Sequence, residues 1–194
     1  MKKKSHVDIM HFIALKPIKR GSFEDFVMHI NTEINEKNKS SIFVFDDQIS
    51  PQIKKQFDEK KVQYRLYDLK KKQLISFLIC ILRYRPKICH FHFVSLSIKI
   101  VTICSLLKIK IFYTIHDSII NNNNYNIKYS NSIELLKFIK RKFIISRISK
   151  IITVSEYVRN WVNNKYNVPE KKLLTIYNGV DLTRFHKKKI MKKR

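Results

Sequence analysis

The stretch Lys110-Ile111-Phe112-Tyr113-Thr114-Ile115-His116-Asp117 is an apolar run of β type that ends abruptly in a polar pair. Ile111, Phe112, Tyr113 and Ile115 are β-branched or aromatic and nearly continuous, which suits a strand covered on both faces in a parallel sheet. His116 and Asp117 then fall at its carboxyl end, the edge at which open α/β sheets bind their ligands. On either side the same grammar repeats. Val7 to Leu15, Ser41 to Phe45, Val62 to Leu69, Ile88 to Phe93, Lys150 to Val154 and Leu173 to Tyr177 read as further strands.

Between them lie helical patterns. One starts near Phe23, with Ser22 as its N-cap and Glu24 and Asp25 in its first turn, and carries Phe23, Phe26, Val27, Ile30 and Ile34 on one face. Lys70 to Tyr84 reads as a buried helix with a basic start, broken by Arg85-Pro86. Ser95 to Leu107 reads as a crossover helix, and Ser132 to Ile148 as a helix apolar on one side and basic on the other. Ser155 is placed to cap a helix through Tyr166, and Asn121 to Asn124 mark a surface loop. Strands alternating with such helices predict an α/β fold with a Rossmann-like, doubly wound parallel sheet. The loops holding Gly21, His90/His92 and His116/Asp117 should all leave one edge of it.

Composition bounds the function. The 194 residues, 44% hydrophobic, suffice for one sizeable core. Forty Lys and Arg against 15 Asp and Glu give a formal charge of +25, which draws a protein toward nucleic acid, anionic membrane or phosphorylated ligands. Lys, Ile and Asn are abundant throughout, so an A+T-rich reading frame is the plainer source of that charge. No nucleic-acid recognition motif accompanies it, so specific nucleic-acid binding is not expected, and a basic nucleic-acid-binding module is the alternative that the charge keeps open. Cys80, Cys89 and Cys104 lack C-x-x-C spacing and sit in apolar runs, as reduced core residues do. No stretch reads as a signal peptide or a membrane span, so the expected location is cytoplasmic, with peripheral contact at an anionic membrane.

Five segments in order carry a family likeness: Pro17 to Glu24 (P-x-x-x-G-S-F-E), Arg85 to His92 (R-P-K-I-C-H-F-H), Tyr113 to Asp117 (Y-T-I-H-D), Ile152 to Glu156 (I-T-V-S-E) and Tyr177 to Phe185 (Y-N-G-V-D-L-T-R-F). Together they resemble the amino-terminal domain of family 4 glycosyltransferases, GT-B enzymes of two Rossmann-like domains. The resemblance implies a first domain over residues 1–185, which chiefly binds acceptor, and a basic tail over 186–194 that stops before a donor-binding domain. It implies transfer of sugar from a nucleotide-sugar to a glycan or lipid-linked acceptor in cell-envelope polysaccharide synthesis, with no metal or other cofactor. By the same likeness His116 and Asp117 belong to the reacting centre, and Asn178, Gly179, Asp181 and Phe185 to the hinge between domains. The sequence departs from the family in having a single Gly21 where a pair is usual, and Lys87 where an Asp often stands. The donor-binding signature has no place in the chain, so half an enzyme is expected, inactive alone, or a subunit working with a separate donor-binding chain.

The same residues have plainer readings. Gly21 before a helix permits close approach of a phosphate to backbone N–H groups, or is simply a turn. His90 and His92, two apart on a strand, face one side and would contact acceptor; with His116 and Asp117 they would also make a zinc site, as in a zinc-dependent hydrolase. Ser155 and Glu156 serve a cleft or merely the start of their helix.

Overall fold

The computed structural model describes residues 6–69, 72–116, 132–177 and 179. Its first half runs β1 (Ile9–Ile13), α1 (Ser22–Glu36), β2 (Ser41–Asp46), α2 (Pro51–Glu59), β3 (Tyr64–Tyr67) and α3 (Gln73–Tyr84). The second runs β4 (Ile88–His92), α4 (Ile98–Leu106), β5 (Lys110–Ile115), α5 (Ser132–Arg147), β6 (Lys150–Thr153), α6 (Glu156–Tyr166) and β7 (Leu173–Thr175). The strands are all parallel, in the order β3-β2-β1-β4-β5-β6-β7. This is the Rossmann-like α/β sheet that the alternation predicts. Its order reverses between β1 and β4, where such sheets form a crevice at the carboxyl ends of the strands.

Alternation along each strand divides the core in two. Met10, Phe12, Val44, Cys89, Phe91 and Ile111 belong to one apolar cluster with Phe77 of α3, Val101 of α4, Ile145 of α5 and Val162 of α6. Ile13, Phe43 and Phe45 belong to the other, against Val27 of α1 and Ile53 and Phe57 of α2. Each such side chain contributes roughly 1.5–3 kcal/mol by leaving water. On the second face, in the middle of this apolar packing, stand His11, His90, His92 and Thr114, all buried.

Several boundaries differ from expectation for local reasons. Ser22 is the first residue of α1, and Gly21 is its N-cap in extended conformation. Glu24 turns back to accept the Gly21 N–H at 2.8 Å, the N3 half of a capping box, while glycine has no side chain to supply the other half. α2 went unread because it has few apolar residues, although Ser50 caps it and Pro51 opens it. α3 is amphipathic rather than buried, leaving Ile75, Ile79 and Leu82 exposed. It ends on Arg85 in left-handed conformation, φ 44°, immediately before Pro86. α4 begins three residues later than Ser95, with Ser97 as its cap. Lys87, the departure from the family pattern, pairs at 2.8 Å with Asp8, which also accepts from the Ser40 N–H and hydroxyl. The Lys87 hydrogen bond, with that of Ser40, holds the Asp8 carboxyl at about 2. The three cysteines are free and buried, and burial pushes the Cys80 thiol up to about 12.

Candidate functional site

Three neighbouring strands deliver imidazoles to one sheet face. Parallel register sets His11 of β1 beside His90 of β4, and Ile13 beside His92. His11 Nδ1 lies 3.4 Å from His92 Nε2, and His92 Nδ1 lies 3.2 Å from His116 Nε2, so a buried column runs from mid-sheet to the crevice. His90 branches from it, its ring 4.0 Å from that of His92 and its Nε2 sharing a 2.7 Å hydrogen bond with the Thr114 hydroxyl. Burial depresses His11 to about 3, and burial together with the neighbouring imidazoles pushes His90 and His92 well below their ordinary range. All three are neutral at pH 7 and present lone pairs or N–H groups, not charge.

His116 closes the column at the surface. Its ring stacks on Phe93 at 4.0 Å and meets the edge of Phe23, at the start of α1, at 5.5 Å. Phe93 has φ 57°, a region that costs a bulky residue on the order of 1 kcal/mol or more. The contacts with Phe23 and His116 hold it there, so strain is stored at the turn that positions His116.

Beside His116 opens a cavity of about 620 Å³, in the size range of ligand pockets. Its wall is apolar, from Val94 and Leu96 after β4, Ile144 and Ile148 of α5, and Trp161 of α6. Its cations are Lys137, Lys140 and Arg141, spaced i, i+3, i+4 on one face of α5, and no carboxylate lines it among the described residues. Arg141 also lies over the Tyr166 ring, 5.0 Å from its centroid. The arrangement can take an anionic group at the rim and an apolar body within, beside an imidazole.

The residues singled out from sequence are placed as follows. His116 lines the cavity, while His90 and His92, 8% and 1% exposed, do not; they stand on the sheet face opposite α5 and α6, and His92 touches His116. Gly21 and Ser22 stand at the same sheet edge, joined to the site through Phe23. The Gly21 N–H is engaged by Glu24, so an anion at this helix start would have to displace a carboxylate. Ser155 caps α6 by accepting from Val158 N–H, and Glu156 lies in its first turn, 3.9 Å from Arg159. Neither of these two lines the cavity. Gly179 is exposed, and an added Cβ there would meet nothing within 4 Å. Asp117, Asn178, Asp181, Phe185, the Asn121 to Asn124 run and the 186–194 tail lie outside the described residues. Sequence reasoning missed His11 and Phe93 as members of the site. A histidine in the middle of an otherwise apolar strand was the available signal for His11.

A doubly wound parallel sheet with its crevice at the carboxyl edge defines the class, and comparison supplies the family. The family described as Glycosyltransferase Family 4 matches residues 51–184, more than half of the sequence, and the chain belongs to it. In fold it is similar to a glycosyltransferase from Rickettsia africae ESF-5, with a TM-score of 0.59 at 19% identity over 92% of this chain and 44% of that one. It is also similar to Anabaena Alr3699/HepE, solved in complex with UDP and glucose, with a TM-score of 0.56 at 12% identity over 92% and 46%. An α-glucosyltransferase in complex with UDP and a 13-mer DNA gives 0.50 at 12% identity over 93% and 44%. The chain thus spans less than half the length of these relatives. No curated protein matches it.

Proposed function

We propose that this chain supplies the acceptor-binding half of a family 4 glycosyltransferase, and that the acceptor is a saccharide linked through phosphate to an apolar chain. The cavity carries the reading: its walls are apolar, its rim holds Lys137, Lys140 and Arg141, and His116 stands beside it. A phosphate at the three cations would set the sugar hydroxyl near His116, which then hydrogen-bonds or deprotonates the attacking oxygen. The relatives solved with UDP are more than twice as long as the aligned region, which supports donor binding by a second half, fused or separate. An acceptor of this kind places the work at the cytoplasmic face of a membrane, in cell-envelope polysaccharide synthesis. No helix of the described residues is long and apolar enough to cross a bilayer, so contact there would be peripheral.

Calorimetric titration of the chain tests the division of labour. A short polyprenyl-phosphate-linked sugar should bind, and UDP-sugars should show no submillimolar affinity. Tight nucleotide-sugar binding by the chain alone would overturn the half-enzyme reading, and failure of the lipid-linked sugar to bind would overturn the acceptor assignment.

A further inference from the structure

The column below His116 contains more imidazole than a sugar-transfer site has use for. We propose that His11, His90 and His92 form a binding site for one borderline transition-metal ion, zinc being the ion of first choice. The sequence alone paired His90 and His92 with His116 and Asp117 as its zinc alternative. The structure gathers the two with His11 instead, from the neighbouring strand.

The geometry is that of ligands. One nitrogen from each of the three rings falls within a group whose members are all within 4.8 Å of one another, and all three residues are buried. His11 Nδ1 and His92 Nε2 are 3.4 Å apart, and two nitrogens on one tetrahedral ion, each about 2.0–2.1 Å from it, stand about 3.4 Å apart. The third nitrogen, from His90, lies within 4.8 Å of both. Histidine ligands fix their ring by engaging the other nitrogen with an outer partner. Here His90 Nε2 is held by the Thr114 hydroxyl and His92 Nδ1 by His116 Nε2, which leaves His90 Nδ1 and His92 Nε2 as the nitrogens for an ion. The His11 ring is fixed by stacking on Phe43 at 4.5 Å.

His11 Nε2, the nitrogen turned away from the shared position, is buried without a hydrogen-bond partner, so the stack on Phe43 rather than an outer hydrogen bond holds that ring. Three imidazoles and no carboxylate select zinc, cobalt, nickel or copper over magnesium or calcium. Three protein ligands leave the fourth position to water or a small anion.

The test needs no sugar-transfer activity. Tag-free chain, stripped with chelator and equilibrated with zinc, should retain one equivalent by elemental analysis, and cobalt(II) should give the intense visible d–d bands of a four-coordinate site. Thr114→Val, which removes an outer partner, should weaken zinc by about 10- to 100-fold in chelator competition. His11→Gln and His90→Gln should weaken it further, while His29→Ala, at an exposed position, should leave it unchanged. Circular dichroism confirms that each variant is folded, and the wild-type cobalt spectrum stands even if one is not. Substoichiometric zinc, or a cobalt spectrum of six-coordinate aquo type, would overturn the proposal. Zinc binding that survives His11→Gln at full strength would overturn it too.

Discussion

Replacing Lys137, Lys140 and Arg141 together with alanine should detach the protein from anionic bilayers without unfolding it. Lys137 and Lys140 are exposed, Arg141 is half-buried, and all three share one face of α5 at the cavity rim. Leu135, Leu136 and Ile139 of the same helix are exposed beside them and would sit at the lipid boundary. Each cation near an anionic surface contributes about 1 kcal/mol, so the triple variant loses about 3 kcal/mol, or about 150-fold in partition coefficient at low salt. The control is Lys54, Lys55 and Lys61, exposed on and just after α2, whose core residues pack on the opposite sheet face. Changing these three to alanine removes the same charge and should leave binding close to that of the parent. Co-sedimentation with phosphatidylglycerol vesicles measures both, and the parent should also release in high salt as the Debye length falls from about 10 Å at 0.1 M to about 3 Å at 1 M. Equal losses in the two triple variants would show that the +25 charge acts as a whole and that the α5 array has no special part. Undiminished binding to neutral vesicles would refute the electrostatic argument itself.

Other consequences follow from single contacts. The Asp8 carboxyl is held at about 2, below its ordinary 3.8, so its pairing with Lys87 stabilises the fold above pH 4 and fades as pH falls toward 2. Because Lys87 is largely exposed, Asp8→Asn should cost only about 1 kcal/mol at pH 7 in urea melts and a small fraction of that at pH 2, where the carboxyl is about half protonated; a constant difference across that range would contradict the ion pair. Cys80, Cys89 and Cys104 are buried thiols with Cys80 and Cys89 raised well above the ordinary range, so none should react with an aromatic disulfide reagent until the chain unfolds. A fast-reacting native thiol would place one of them at the surface. Ser155→Ala should lower stability by about 1 kcal/mol through loss of the α6 cap, with lipid-linked sugar binding unchanged. A selective loss of binding would restore Ser155 to the cleft.

How much of this the sequence disclosed depended on the kind of signal. The strands announced themselves because buried parallel strands are nearly continuous in Val, Ile and aromatics, as Ile111 to Ile115 illustrates. α2 did not, since only Ile53 and Phe57 of its nine residues are buried and its start signal, Ser50-Pro51, is brief. The site was half legible. His90 and His92 stood out by their spacing and His116 by its place at a strand end. His11 did not, because nothing in a linear pattern says that the third residue of β1 will lie beside the third residue of β4. Register across non-consecutive strands is a property of the assembled sheet. The cation array on α5 was visible as a basic helix face, but its aim at a cavity came only with the packing of α5 and α6.

The reading rests most heavily on His116, and turnover by the completed enzyme addresses it. With a donor-binding half fused or supplied separately, the wild-type chain should transfer sugar to a polyprenyl-phosphate-linked acceptor. His116→Ala should reduce that turnover on the order of 10²-fold or more with its circular dichroism unchanged, while His6→Ala, at an exposed position near the chain start, should match the wild type. A His116→Ala enzyme that turns over at the wild-type rate would contradict the placement of the acceptor beside this histidine.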